Sequence, residues 1–378
     1  MRTGFEQDAG LGPMEELVDA VQALSLARSL PEIQRIVRSA ARRLTGADGA
    51  TFVLRDGTRC FYADEDAISP LWKGERFPMS SCISGWAMTH RRPAVIADIY
   101  TDDRIPHDAY RRTFVKSVAM VPIRTAEPIG AIGNYWAEQH EPTGREVALL
   151  QALADSTAVA MENVQVYEEL ERARQETLER LALAAEYRDD ATFAHTERVA
   201  ATSALVAEQL GLPSAEVDLI RQAAPLHDIG KLAVPDAILL KRGRLTPDEY
   251  EQMKRHAAAG AAILDGSRSA VLRLAQEVAL SHHEWWSGDG YPHSLRGDHV
   301  PLSGRIVAVA DVFDALLHVR PYKDAWPVRR ATETIRELGG RQFDPEIVAA
   351  FEALGPDRLA AQPVPRDAPS SSGTARPS

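Results

Sequence analysis

The chain has 378 residues, 45% of them hydrophobic and 26% charged, a globular composition long enough for two or three domains, each with its own core. A formal net charge of −11 without any basic block argues against duplex nucleic acid as a partner. Two cysteines, Cys60 and Cys82, stand against eleven histidines. That ratio excludes a disulfide framework, a Cys-rich zinc ribbon and a thiolate iron–sulfur site, but not a metal centre of imidazole and carboxylate. The most apolar short stretches, such as VAMVPI at 118–123, fall far below bilayer-spanning length. The opening MRTGFEQDAG is acidic and has no apolar h-region, so a cytoplasmic protein without membrane contact is expected.

Residues 1–13 read as a disordered leader. A first domain is expected over 14–165. It begins with helical spacing at Leu17, Val21 and Leu24, then at Ile33, Ile36, Val37 and Ala40. Short β-like runs follow: ATFVLRD, CFYADE, PAVIADI, SVAMVPI and AIGNYWA, separated by turn signals such as DG at 56–57 and EPIG at 127–130. A closing helix starts near Thr143. This order predicts an α/β sensor-like unit of α+β type around one mostly antiparallel sheet.

From about 157 to 190 the chain has no Gly or Pro and is rich in Glu and Arg, which suits a long exposed helix with charged pairs three and four apart. Residues 166–188 are read as a connecting helix, either pairing with its twin in a homodimer or standing alone as a solvated linker. Beyond Asp190 strand signals almost vanish, and Gly211, Gly266 and Gly355 sit where helix C-caps belong. An all-α domain is expected over 189–361, followed by a Pro- and Ser-rich disordered tail over 362–378. The fold class is α+β overall.

Eight of the eleven histidines lie at or beyond position 195. Seven candidate metal ligands follow in order: His195, the pair His227–Asp228, His256, the pair His282–His283, and Asp311. Each lies among apolar or small residues, as in FAHTERV, APLHDIGK, KRHAAAG, LSHHEWW and VAVADVFDAL. Imidazole and carboxylate on helices suit iron or manganese better than structural zinc. Seven ligands exceed one ion and suit two, with a carboxylate such as Asp228 bridging them. A lone histidine such as His256 on an apolar helix face is most often structural. A carboxylate inside VAVADVFDAL is different, because burial without a metal or a partner is costly.

Residues 189–351 closely resemble the HD-GYP family of the HD superfamily. The resemblance rests on DxxTxxH at Asp189, Thr192 and His195, HDIGK at 227–231, HxxxG at 256–260 and HHEWWSGDGYP at 282–292. It continues through DVFDAL at 311–316, RPYK at 320–323 and FDP at 343–345. It implies an all-α, HD-type phosphodiesterase that hydrolyses cyclic di-GMP to pGpG and GMP with two divalent ions, iron or manganese. It makes the seven candidates the ligands, with Asp228 as the bridge and Lys231 as the group that assists the departing oxygen. Gly290, Tyr291 and Pro292 would lie beside the substrate, and Arg320 and Lys323 would grip its phosphates and guanine. Members with three metals carry a Glu four residues before the first histidine; Ala191 stands there, so two ions are expected. Trp285 and Ser287 stand where the family pattern has a basic residue and an Asp, in the loop that shapes the substrate pocket.

The first domain resembles a GAF domain, through CISGWAMTHRRPAVIADIYTDDRIP at 82–106, SVAMVPIR at 117–124 and PIGAIGNYWA at 128–137. The resemblance implies a sensor of an unidentified small ligand. Cys82 as a bilin anchor or redox switch competes with Cys82 as a small buried hydrophobe. Haem ligation by His90, His107 or His140 competes with an ordinary polar-loop role. Trp86 and Trp136 read as core. Three functions stay open: a sensor-regulated cyclic di-GMP phosphodiesterase, an HD-type hydrolase of another nucleotide, or a catalytically silent module that binds diguanylate cyclases (GGDEF proteins). Retention of all seven ligands argues against the last.

Overall fold

The computed structural model describes residues 12–188, 195–318, 325–355 and 358–359. The chain divides into two compact units, Met1–Glu171 and Arg172–Ser378.

The first unit opens with helices α1 (Pro13–Leu26) and α2 (Leu30–Thr45). Ser29 caps α2 by accepting a hydrogen bond from the Glu32 amide, Pro31 sits in its first turn, and left-handed Gly46 ends it. Six strands follow: β1 (Gly49–Asp56), β2 (Arg59–Ala67), β3 (Arg76–Pro78), β4 (Ala94–Ile96), β5 (Ser117–Ile123) and β6 (Gly130–Trp136). They form one sheet in the order β3-β2-β1-β6-β5-β4, antiparallel at every pairing. Helices α3 (Ile83–His90) and α4 (His107–Tyr110) lie between strands in the sequence.

Every residue of β5 and β6 is buried, which accounts for their mostly apolar runs. Successive residues face opposite sides of the sheet, and both sides are covered. Phe52, Val121 and Ile132 pack with α1 and α2, while Val53, Met120 and Ala131 pack with α3. Buried Tyr62, Trp72, Tyr110 and Tyr135 fill the second side edge to face.

The expected closing and connecting helices are a single element, α5 (Gly144–Glu186). Its start is a capping box: Glu146 Oε2 accepts from the Thr143 amide and hydroxyl at 2.7 Å each, and the Glu146 amide donates to Thr143 Oγ1 at 3.2 Å. With no Gly or Pro to stop it, the helix continues past Leu150 and Leu153, buried in the first unit's core, to Leu178 and Ala182, buried in the second unit's.

The second unit is helical: α6 (His195–Gln209), α7 (Ser214–Ala223), α8 (Asp236–Leu239), α9 (Pro247–Leu264), α10 (Ala270–Ser281), α11 (Leu302–Leu317), α12 (Val328–Glu337) and α13 (Pro345–Ala353). Among its described residues there is no strand, only a single bridge between Gly339 and Phe343. Helix α11 is apolar nearly all round because it lies at the centre, with Ile306, Val309 and Phe313 buried against α6, α12 and α13. Among the described residues no helix is long and apolar enough to cross a membrane.

Candidate metal centre

His227 and Asp228 of the HDIGK segment lie between two short 3₁₀ turns, Ala224–Leu226 and Ile229–Ala233, the second of which packs on α9. Gly230 makes that packing feasible: a Cβ there would lie 1.9 Å from the His256 carbonyl oxygen. Contact this close fixes His227 and Asp228 against His256. His282 and His283 follow the last turn of α10, Asp311 lies on α11, and His195 opens α6.

Three histidines share one construction. His227 Nδ1 bonds the Ala224 carbonyl at 2.9 Å, His256 Nδ1 the Met253 carbonyl at 2.7 Å, and His282 Nδ1 the Val278 carbonyl at 3.0 Å. A carbonyl only accepts, so Nδ1 carries the proton in each ring and Nε2 is left with its lone pair. The three Nε2 atoms point at Asp228: His227 lies 3.3 Å from Oδ2, and His256 and His282 lie 3.3 and 3.6 Å from Oδ1. Those Nε2 atoms and Asp228 Oδ1 are all buried without a hydrogen-bond partner. Four orphaned lone-pair atoms around one carboxylate are costly unless a cation takes them.

Two overlapping sets of ligating atoms lie within 4.8 Å of one another: Asp228, His256, His282 and His283, and His195, His227 and Asp228. Asp228 is common to both. Asp311 Oδ1 adds to the second set, 3.4 Å from His195 Nε2 and 3.9 Å from His227 Nε2. All seven sequence candidates are therefore brought together. The donors are nitrogen and carboxylate oxygen with no thiolate, which fits divalent iron or manganese.

The electrostatics follow from burial against charge. Burial opposes ionisation of Asp228, yet Lys231 and His227 hold its carboxyl well below the usual range. Burial disfavours a charged His227, but without a cation Asp228 and Asp311 outweigh it and raise the imidazole, so a proton takes the Nε2 lone pair that a metal ion would otherwise hold. Burial, then His282 and His256, push His283 well below an ordinary histidine. Lys231 Nζ lies 2.8 Å from Asp228 Oδ2, at the edge of the cluster.

Tyr291 forms one wall. Its ring lies 4.7 Å from that of His283, inclined by 30°, and Lys254 Nζ sits 5.6 Å over it. The Gly-Tyr-Pro loop is held from beneath by buried Glu284, whose carboxylate accepts from the His293 amide at 2.6 Å and the Leu295 amide at 2.9 Å. Gly290 passes so close that a Cβ would lie 2.3 Å from the Trp285 amide nitrogen. The two departures from the family pattern are taken up locally. Trp285 meets the Arg341 guanidinium at 5.7 Å, and Ser287 donates to Asp289 Oδ2 at 2.9 Å. Arg320 and Lys323, together with Asp189, Ala191 and Thr192, lie outside the described residues.

Two residues escaped the sequence reading. His195 Nδ1 meets Asp314 Oδ2 at 2.7 Å, and Arg198 bonds the same carboxylate through Nε at 2.5 Å and Nη2 at 3.0 Å. The signal was present: Asp314 is a second carboxylate in VAVADVFDAL, and the cost of burial that singled out Asp311 applies to it equally.

Among the described residues the first unit has no comparable ligand group. Two of its three histidines are occupied locally, while His107 Nε2 is buried without a hydrogen-bond partner. His90 bonds the Trp86 carbonyl at 2.9 Å, and His140 meets Glu146 at 3.0 Å. Cys60 and Cys82 are buried free thiols.

A family model of the HD domain matches residues 179–347, and a model of the GAF domain matches residues 27–162. The cyclic di-GMP phosphodiesterase response regulator RpfG of Xanthomonas campestris is 52% identical over 183 residues, covering 48% of either chain. A cyclic di-GMP phosphodiesterase of Thermotoga maritima is 50% identical, covering 47% of this chain and 49% of its own. A 3′3′-cGAMP-specific phosphodiesterase of Vibrio cholerae is 42% identical, covering 53% and 38%. The chain thus spans about half the length, or less, of the curated relatives it matches. It carries a GAF domain followed by an HD domain.

Proposed function

We propose that the HD unit hydrolyses cyclic di-GMP to pGpG and GMP, with two divalent ions held by His195, His227, Asp228, His256, His282, His283 and Asp311. The observation that carries this reading is the convergence of four buried, partnerless lone-pair atoms on a cluster in which Asp228 belongs to two ligand sets. Bound ions of this kind activate a water and neutralise charge at a phosphodiester phosphorus. The chain's own groups supply the rest. The Asp228 carboxylate ties the two halves of the site together. Lys231, beside it, carries the ammonium that meets the departing 3′ oxygen. Tyr291 offers a flat apolar wall to a base. Arg320 and Lys323 are proposed to bind the phosphates and guanine.

Iron or manganese fits the thiolate-free donor set, and the Ala at position 191 supports two ions rather than three. The GAF unit is proposed to regulate this reaction in a cytoplasmic homodimer. Val159, Val166 and Leu170 support the dimer, since they form an exposed apolar line on α5 at spacings of seven and four.

A second substrate is favoured by one observation. Trp285 and Ser287 alter the pocket loop, and a relative 42% identical is named for 3′3′-cGAMP. The test is chromatography of reactions with each cyclic dinucleotide, using protein purified anaerobically and loaded with iron or manganese. Release of pGpG and GMP supports the first reading, and faster cleavage of 3′3′-cGAMP the second. Inertness toward both with full metal loading would overturn them.

A further inference from the structure

We propose that the GAF unit binds a small organic anion, bearing two phosphate- or carboxylate-type groups, in a cavity where Arg55, Arg91 and Arg124 converge. The cavity measures about 580 Å³, within the range of small-molecule sites, and Met79, Met88 and Ile129 give it apolar walls. The arginines come from three separate places: the end of β1, the residue after α3, and the turn between β5 and β6.

Two independent features support this site. The first is charge. Some arginines of the unit are paired with carboxylates, as in Arg42–Asp66 at 2.6 Å, Arg76–Asp56 at 3.2 Å and Arg104–Asp102 at 2.5 Å. Around the cavity none of the three forms an ion pair among the described residues. Arg55 Nε donates only to the Gly57 carbonyl at 3.3 Å and Arg124 Nε only to the Glu127 carbonyl at 3.0 Å, so their Nη groups remain available. Three guanidiniums against the single carboxylate of Glu127 leave the lining net positive, and an anion with oxygen pairs matches their planar forks.

The second feature is backbone. Arg91 and Arg124 have φ of 56° and 64°, and among the described residues only Ser294 joins them as a non-glycine at positive φ. This left-handed region disfavours a side chain. The chain uses glycine in the same conformation after α2, α6 and α9, at Gly46, Gly211 and Gly266. Arginine is retained against that preference at two positions, and both line the same cavity. Strain that persists where a substitution would relieve it points to a function for the side chain.

The variants Arg91→Gly and Arg124→Gly test this, because each removes the guanidinium while easing the backbone. The probe is naphthalene-1,5-disulfonate, which neither chelates metals nor hydrolyses, titrated calorimetrically into the full chain. Each variant is expected to melt at or above the wild-type temperature and to bind the probe about ten-fold more weakly. Arg76→Ala, a charge control on the same sheet, should bind as wild type. In the wild-type chain the probe should also shield Arg91 and Arg124 from phenylglyoxal in peptide maps, and leave Arg76 unshielded. Equal affinity across the glycine variants, or no shielding of Arg91 and Arg124, would overturn the proposal.

Discussion

Asp314 accepts a hydrogen bond from His195 Nδ1 at 2.7 Å, which turns His195 Nε2 toward Asp311, 3.4 Å away. The carboxylate stays ionised although buried. Burial pushes its pKa up, but His195 and Arg198 more than compensate and hold it at about 2. Partners of this kind fix the tautomer and direction of a ligand imidazole. Asp314→Asn is therefore expected to weaken metal retention by about 10- to 100-fold. Competition with a chelator, followed by metal analysis, measures it. Unchanged affinity would deny Asp314 this role.

Glu284 does for the pocket loop what Asp314 does for His195. Its carboxylate bonds the amides of His293 and Leu295, at 2.6 and 2.9 Å. Glu284→Ala strands both amides, and one stranded amide costs about 1–3 kcal/mol. The loop carrying Tyr291 should loosen while the metal ligands keep their places. We expect KM to rise about ten-fold with metal content unchanged. A fall in kcat and metal content with constant KM would place Glu284 in the centre itself.

Much of this was legible in the sequence because it depends on spacing and on the cost of buried charge. The runs SVAMVPI and AIGNYWA gave strands of a mostly antiparallel sheet, and the vicinal pairs His227–Asp228 and His282–His283 gave a ligand cluster. Partner choice was less legible. Asp314 and Arg198 lie 116 positions apart and meet only through the packing of α6 on α11. The single helix Gly144–Glu186 was read as two because its apolar face changes partners along its length, not because anything interrupts the backbone.

The start of that helix has a pH signature. Burial works against the Glu146 carboxylate, but Thr143 and then His140 outweigh it and hold its pKa below the usual value. A depressed carboxylate contributes stability above its unfolded pKa of about 4.3, and that contribution disappears as pH falls through the folded value. Glu146→Gln should cost about 1 kcal/mol near pH 7, the size of a lost cap, and progressively less below pH 4. Urea unfolding at both pH values measures the difference. A pH-independent loss would show that the charge is irrelevant.

Val159, Val166 and Leu170 leave an apolar line exposed on α5. If that line joins two copies, Leu170→Glu places like charges opposite one another and should yield monomers at micromolar concentration in sedimentation velocity. A wild-type chain that already sediments as a monomer would rule out the dimer.

The central claim is that Asp228 unites two ions in one hydrolytic centre. Metal analysis of the anaerobically purified chain, alongside its Asp228→Ala variant, tests this most directly when each sample is also assayed on cyclic di-GMP. The account predicts two ions per wild-type chain with turnover, and fewer ions with no turnover in the variant. Three ions in the wild type, or wild-type turnover by Asp228→Ala, would contradict it.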